Sequence, residues 1–593
     1  MKNIFENHVK NLFRSLLLIL LLSSALYSQT VKLKIIETTD EHGQVFPYSF
    51  TNGREMNTSL AQVMTYVKEE RSKKDQNVIL LSGGDLLQGT PLVYYYNFEK
   101  TDVPHVFAQV MNYMGYDAGA VGNHDIETGH PVYDRFNKEL NFPWLAANAV
   151  NTSNGQSYFK PYTIIKKDGI KIAVLGMITP AIPTWLPRNI WSGMEFDDMI
   201  LCAKKWVKII KEKENPDLLI GLFHSGVEYT YGNQTAETPK NENASELVAE
   251  QVPGFDIVFV GHDHHGWNFT VKNIEGKTIP ILGGINAART AAVADVDLNF
   301  NSATKSWNKS ITGEIVEIKN FKPDSDFMSK FNYAFEAAKK YVEHPLGTFT
   351  ESISTREAIF GDSKFVDLVH RIQLDITKAD ISFSSPLSFD VTIPKGTITV
   401  GNMFDLYRYE NLLYTMELTG QEIKDYLEYS YSLWFNQMKD ENDHLINFDY
   451  DDSGKIRTNP RSNSPLLKGV FYNFDSAAGI NYTVDVSKPA GERINISSMS
   501  NGSPFELDKK YKVALNSYRG NGGGHLLTDG AHISKETLDK RILNSTDKDL
   551  RFYIMKWIEK QKTIEPKALG NWKVIPEKWW QAGRERDYSL IFK

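Results

Sequence analysis

The chain has 593 residues, a formal net charge of −7, 41% hydrophobic residues and a single cysteine. That length exceeds what one hydrophobic core holds, so two or more domains are expected. The acidic balance argues against a nucleic-acid polymer as the main partner, because tracking a phosphate backbone needs a basic surface. Small phosphorylated substrates remain compatible, since bound metal ions can supply the positive charge.

At the N-terminus, Lys2, Lys10 and Arg14 precede the apolar run Leu16 to Leu22, and the small residues Ser23, Ser24, Ala25 and Ser28 follow. This reads as a secretory signal over residues 1–28, cleaved after Ala25 or Ser28. The run is too short to span a bilayer comfortably. No second long apolar stretch follows, so the expectation is a periplasmic or extracellular protein with no stable membrane insertion after cleavage. Cys202, alone, allows no internal disulfide. It sits in a helical pattern with Ile200, Leu201, Ala203, Trp206, Val207 and Ile210, as a small buried apolar residue.

From about Val31 to Phe300, short apolar runs alternate with amphipathic segments. The runs predict strands at Val31–Thr38, Val78–Leu81, Ala118–Val121, Ile170–Ile178, Leu218–Phe223, Ile257–Val260 and Ile279–Leu282. Most are continuously apolar, as in strands covered on both faces. Helical patterns occupy Leu60–Arg71, Val103–Met114 and Met199–Lys213. The fold class is therefore α/β, with an N-terminal α/β sandwich over 30–320. The amphipathic segment with Phe327, Phe331, Phe335, Ala338 and Tyr341 predicts a linker helix within 321–345. A second α/β domain follows over 346–593, with turn signals at Pro394-Lys395-Gly396 and Asn521-Gly522-Gly523-Gly524.

Five of the predicted strands end in metal-type ligands: Asp40-Glu41-His42-Gly43, Gly83-Gly84-Asp85, Gly122-Asn123-His124-Asp125, His224-Ser225-Gly226 and Gly261-His262-Asp263-His264. One such turn carries little information. Five in series, each just past a buried strand where open α/β sheets place their sites, can supply a two-metal hydrolytic centre. Asp40 and His42 can converge on one ion, the glycines before Asp85 allow a tight turn, and Asn123 offers a carbonyl oxygen. Mixed nitrogen and oxygen donors suit Zn, Mn, Fe or Co better than Mg or Ca alone. His8, His105, His130, His344, His444 and His532 lack this setting and are read as ordinary histidines.

These segments, with Gly84-Asp85-Leu86-Leu87-Gln88-Gly89-Thr90, resemble the calcineurin-like metallophosphoesterases of the exported nucleotidase family. The resemblance covers nearly the whole mature chain, because the second half looks like that family's nucleotide-binding domain. It implies two divalent metal ions, one held by Asp40, His42, Asp85 and His264. The other would be held by Asp85, Asn123, His224 and His262, with Asp85 bridging. Some relatives carry Gln at the position of His264. The implied chemistry is in-line attack on phosphorus by metal-activated water. His124 would stabilise the transition state or protonate the leaving oxygen. The family pairs this histidine with an acid three positions on, often Asp; here that position is Glu127.

For the substrate, Phe471-Tyr472-Asn473-Phe474-Asp475 looks like the family segment carrying a base-stacking aromatic, and Phe474 matches best. The stretch from Asn516 to His525 looks like the opposite wall, supplied by either Tyr518 or His525. With Asn123 these are the candidate substrate-binding residues. Many 5'-nucleotidases carry an Asn-Gly-Gly-Gly-Ile-Arg segment in this domain; the corresponding Ser384 to Asp390 has no arginine. Tyr407 to Tyr414, Leu418 to Glu428, Gly479 to Asp485 and Gly491 to Ile494 look more like the 2',3'-cyclic-nucleotide 2'-phosphodiesterase/3'-nucleotidase branch. The expected partner is thus a small nucleotide, with 5'-nucleotidase or UDP-sugar hydrolase as the alternative. A non-catalytic nucleotide-binding protein is a more distant one. The resemblance also implies hinge motion near 321–350.

Overall fold

A computed structural model describes residues 30–459 and 463–592. The expected signal segment lies outside the described residues. Two six-stranded sheets organise the N-terminal half. In the first, the order is Ser306–Glu317, Thr290–Asn301, Thr30–Thr38, Asn77–Ser82, Ala118–Ala120 and Trp144–Leu145. In the second, it is Trp267–Lys272, Thr278–Gly283, Ile257–Val260, Leu218–His224, Ile170–Ile178 and Tyr162–Lys167. The central strands of each sheet are parallel; the first sheet adds antiparallel strands at one edge only, Trp144–Leu145 at the other edge being parallel, and the second adds an antiparallel strand at each edge.

The sheets face each other through Leu33, Ile35, Ile79, Leu81, Ile172, Ile220, Leu222 and Phe259, all buried. Helices cover both outer faces, which is why the strand runs are apolar throughout rather than alternating. Cys202 is buried in one outer layer, and that burial pushes its thiol up to about 12.

All seven strands expected from the sequence are present. The long hairpin of Thr290–Asn301 and Ser306–Glu317 was not expected, because the inner face of its first strand begins with the small residues Ala292 and Ala294, while Asp295 and Asp297 lie on the exposed opposite face. The second helix begins at Val106, not Val103. Pro104 disfavours helical geometry at Val103, and the His105 side chain caps the helix by accepting the Phe107 N–H.

The helix Ser325–Val342 packs Phe327, Phe331, Ala334 and Ala338 into the N-terminal core and leads into the C-terminal half. There a five-stranded mixed sheet has the order Ser476–Ala478, Ile381–Ser384, Lys510–Asn516, Leu412–Thr419 and Ile542–Asp549. Thr419 and Glu422 form a capping box that starts the helix Gly420–Trp434, which packs on this sheet.

Phe474 belongs to this second core. It is 2% exposed, its ring stacks on Trp434 at 5.3 Å, and Tyr431 and Phe435 meet it edge-on at 5.3 and 5.4 Å. The expectation that it forms a base platform is therefore corrected: a ring packed on three sides by its own domain has no free face. Phe474→Ala should cost about 3–5 kcal/mol of stability, read as a lower denaturant midpoint. Nucleotide and small aryl phosphate hydrolysis should fall in parallel, as lost folded protein; selective loss of nucleotide binding would restore the platform role.

Candidate dimetal site between the two halves

Three of the ligand loops leave adjacent parallel strands of the first sheet, and two leave adjacent parallel strands of the second. All five therefore open at the same edge of the sandwich. Asp40, His42, Asp85, His262 and His264 all have positive φ, from 47° to 87°. Non-glycine residues adopt this region at a cost of about 1–2 kcal/mol each, and such strain concentrates at functional sites. The turns bend the chain back on itself and aim these side chains into one space.

The donors form two groups. In the first, His42 Nε2 and His264 Nε2 lie 2.9 Å apart, and His264 Nε2 is 3.4 Å from Asp40 Oδ1. In the second, Asn123 Oδ1 is 3.0 Å from His224 Nε2 and 2.8 Å from His262 Nδ1. His224 Nε2 is also 3.1 Å from Asp85 Oδ2. Asp40, Asp85 and His224 are themselves close enough to share an ion, which places the two groups side by side.

Outer contacts set the imidazole tautomers. His42 Nδ1 donates to the Gln88 carbonyl at 3.1 Å, and His224 Nδ1 donates to that of Gly83 at 2.7 Å. His262 Nε2 donates to Glu242 Oε1 at 3.1 Å. Each ring thus turns a lone pair inward, the state a metal ligand needs. Asp85 Oδ2 is buried with no hydrogen-bond donor, while Oδ1 accepts the His124 N–H at 2.8 Å. Convergent lone pairs beside an orphaned, buried carboxylate oxygen fit divalent cations and little else.

The electrostatics favour that neutral state for His42 but not for His224: burial opposes its charge, yet Asp85 raises it to about 9, so ligation there would displace a proton. Burial pulls His42 down to about 4, which favours the neutral, ligating form. Burial would raise the Asp85 carboxyl, yet the His224 and His124 charges hold it well below the usual range. Burial likewise opposes charge on His124, but Asp85 and Glu127 raise it to about 10. His124 Nδ1 meets Glu127 Oε2 at 2.5 Å, so glutamate spans this distance despite its extra methylene.

Two contributors escaped the sequence reading. Asp125 accepts the N–H groups of Asp85, Gly122, Leu86 and Leu87, and so pins the Asp85 and Asn123 loops together. It lies inside the Gly-Asn-His-Asp motif, where its capping role was legible. Glu242, which orients His262, comes from an irregular loop with no local signal.

Beside these donors, a cavity of about 230 Å³ separates the two halves. Asn123, His124, Glu127, Trp185, Glu242 and His262 line one wall, and Tyr409, Asn411, Tyr472, Asn516 and Tyr518 line the other. Tyr518 is thus where the sequence placed it. His525 is more than half exposed, 3.9 Å from Asp529, and does not line the cavity. Tyr472, not Phe474, presents an aromatic ring from the neighbouring segment.

Residues 33–266 match the calcineurin-like phosphoesterase family, and residues 345–529 match the 5'-nucleotidase C-terminal domain. Together the fold and site define a metallophosphoesterase, a hydrolase. More particularly, the chain joins a segment that matches the calcineurin-like phosphoesterase family to one that matches the 5'-nucleotidase C-terminal domain, in a two-domain fold like that of 5'-nucleotidase structures.

It is 27% identical to the trifunctional nucleotide phosphoesterase protein YfkN of Bacillus subtilis, over 96% of this chain but only 41% of that relative's length. It is 26% identical to a 2',3'-cyclic-nucleotide 2'-phosphodiesterase/3'-nucleotidase of Yersinia enterocolitica, covering 94% of this chain and 90% of that one. The crystal structure of a 5'-nucleotidase precursor from Thermus thermophilus shares the fold, with a TM-score of 0.60 at 19% identity, over 92% of this chain and 100% of that one. Among the described residues, no helix is long and apolar enough to cross a membrane.

A Cβ on Gly122 would sit 2.1 Å from Asp85 Oδ1 and 2.3 Å from the Asp85 nitrogen. Gly122→Ala should therefore displace Asp85 as surely as Asp85→Ala removes it. For both variants, elemental analysis of purified protein should show fewer than half the metal ions of the wild type. Wild-type metal content in Asp85→Ala would refute a shared, bridging carboxylate.

Proposed function

We propose that this protein is an exported nucleotide phosphoesterase that hydrolyses 2',3'-cyclic nucleotides and 3'-nucleotides to nucleoside and phosphate. The observation that carries the reading is the central cavity, with candidate metal ligands and the His124–Glu127 pair on one wall and Tyr472 and Tyr518 on the other. A phosphate at the first wall and a base at the second match a nucleotide's own polarity. The cyclic and 3'-nucleotide branch is supported by the relatives of that name, at 26–27% identity over most of both chains. The 5'-nucleotidases match at 23% over a smaller share of this chain, and 5'-nucleotide or UDP-sugar hydrolysis is the second reading.

Asp40, His42, Asp85 and His264 would hold one ion, and Asp85, Asn123, His224 and His262 the other. The donor set, rich in imidazole, suits Zn, Mn, Fe or Co. When bound, such ions neutralise phosphoryl charge and make water nucleophilic near neutral pH. The chain's own groups do the rest. Glu127 fixes the His124 ring through Nδ1 and stabilises its positive charge, leaving Nε2 to hold a proton for the departing oxygen. Glu242 and Gln88 keep His262 and His42 oriented. Tyr472 and Tyr518 would stack on the base, and Asn411 and Asn516 offer amides to the ribose.

Phosphate and nucleoside release from 2',3'-cyclic AMP should be strong with Mn and abolished by EDTA. Hydrolysis of 5'-AMP alone would move the protein to the second reading with the same site. Tyr518→Ala and Tyr472→Ala should each raise KM for nucleotides by about tenfold, given stacking energies of about 1–3 kcal/mol. Hydrolysis of p-nitrophenyl phosphate, which has no base, should change little; equal losses on both substrates would remove these rings from the binding site.

A further inference from the structure

Two further cavities flank the central one along the seam between the halves, each of about 480 Å³. The first shares Glu127 with the central cavity and is lined by Glu99, Glu410, Asp547 and Asp549. Glu410 Oε2 is buried there with no hydrogen-bond partner. Arg551 pairs with Glu410 at 2.8 Å, but the carboxylates still outnumber the cations, Lys548 and the Asp134-paired His130 included, and disfavour an anionic ligand.

The second cavity shares Leu186 with the central one and has the opposite character. Arg188 rises from the segment Trp185-Leu186-Pro187-Arg188, whose Trp185 ring lies 5.7 Å from that of His262. The Arg188 guanidinium sits 5.0 Å over the Trp191 ring, with no carboxylate partner among the described residues. Lys535 comes from the other half. Its ammonium donates to the Asn521 carbonyl at 2.8 Å and lies 3.4 Å from the Thr184 carbonyl across the seam, again with no carboxylate. Asn521 Nδ2 reaches the Trp185 carbonyl at 3.3 Å, so the wall between the two cavities is itself stitched across both halves. Asp539 is the lone acid on the lining, beside hydroxyls from Ser545 and Thr546.

We propose that this cavity is a subsite for a second phosphoryl group, held by Arg188 and Lys535, and that the enzyme prefers nucleotides carrying a phosphate besides the scissile one. The inference rests on the nucleotide reading of the central cavity. The lining of that cavity carries no lysine or arginine. An anionic extension must continue into one of its two neighbours, and only on the Leu186 side do cations outnumber acids. Guanidinium and ammonium groups are the ordinary donors to phosphate oxygens, and both gain when the anion replaces water between them. Because one cation comes from each half, a bound phosphate would also tie the halves together.

The test compares kcat/KM for adenosine 3',5'-bisphosphate with that for 3'-AMP or 5'-AMP, whichever the metal-loaded enzyme hydrolyses faster. The wild type should prefer the bisphosphate by about tenfold, the scale of one charge-assisted hydrogen bond. The preference should shrink as salt is raised. Arg188→Gln and Lys535→Gln should each bring the ratio towards one, while Arg188→Lys, which keeps the charge, retains most of it. Thermal melts establish that each variant is folded. Monophosphate turnover without a bisphosphate preference overturns the subsite and leaves the nucleotide reading intact. A preference that survives both glutamine substitutions also overturns it. Failure to hydrolyse any nucleotide, with aryl phosphate still cleaved, overturns the nucleotide reading and the subsite with it.

Discussion

Everything at the centre of this molecule depends on a charge that folding alone does not balance. Asp40 and Asp85 are buried at the mouth of the sandwich, with Glu37, Glu41 and Asp125 buried just beneath them. Burying carboxylates without compensation costs several kcal/mol each. Burial disfavours charge on the lower acids, raising Glu37 and Glu41, the latter to about 8, while Asp125, also raised, is met by four backbone N–H groups. Asp40 and Asp85 differ, because neighbouring imidazoles hold them ionised despite burial. A pair of divalent cations would resolve the imbalance and make use of the strained backbone at the same time. The strain at five candidate ligands in three turns and the orphaned Asp85 oxygen have one common explanation.

The second half of the chain matters through what it brings to that charge. Its inner wall is built on a buried ion pair, Arg519 with Asp475 at 2.9 Å. From there Arg519 reaches the Tyr472 and Gly523 carbonyls and the Asn473 side chain. One guanidinium thus fixes both the Tyr472 segment and the turn after Tyr518. Such a pair adds little net stability once desolvation is counted, but it specifies position. The pair thereby holds both rings on the cavity wall opposite the candidate metal ligands.

Contact between the halves is also substantial away from the cavity. Tyr94, from the phosphoesterase half, packs in a core cluster built mainly by the other half. There its hydroxyl donates to Asp549 at 3.0 Å and the Arg551 guanidinium covers its ring at 5.0 Å. Any hinge motion about the helix Ser325–Val342 would have to turn around this anchor or break it.

The candidate metal ligands were legible in the sequence because each depends on a local pattern: an apolar strand, then a turn residue, then a donor. The strand positions and the α/β class followed from the same runs, and the His124–Glu127 pair from a spacing of three. What the sequence left open was decided by contacts between distant segments. Phe471, Tyr472 and Phe474 are chemically alike and share one short turn. Which ring faces the cavity is set by the helix Gly420–Trp434, about forty residues earlier, whose Trp434 claims Phe474 and leaves Tyr472 exposed to the seam. Glu242 and the paired cations Arg188 and Lys535 likewise acquire meaning only when two parts of the chain meet. Periodicity records which face of an element is buried. It carries no information about what that face is buried against, and that is the part tertiary packing supplied.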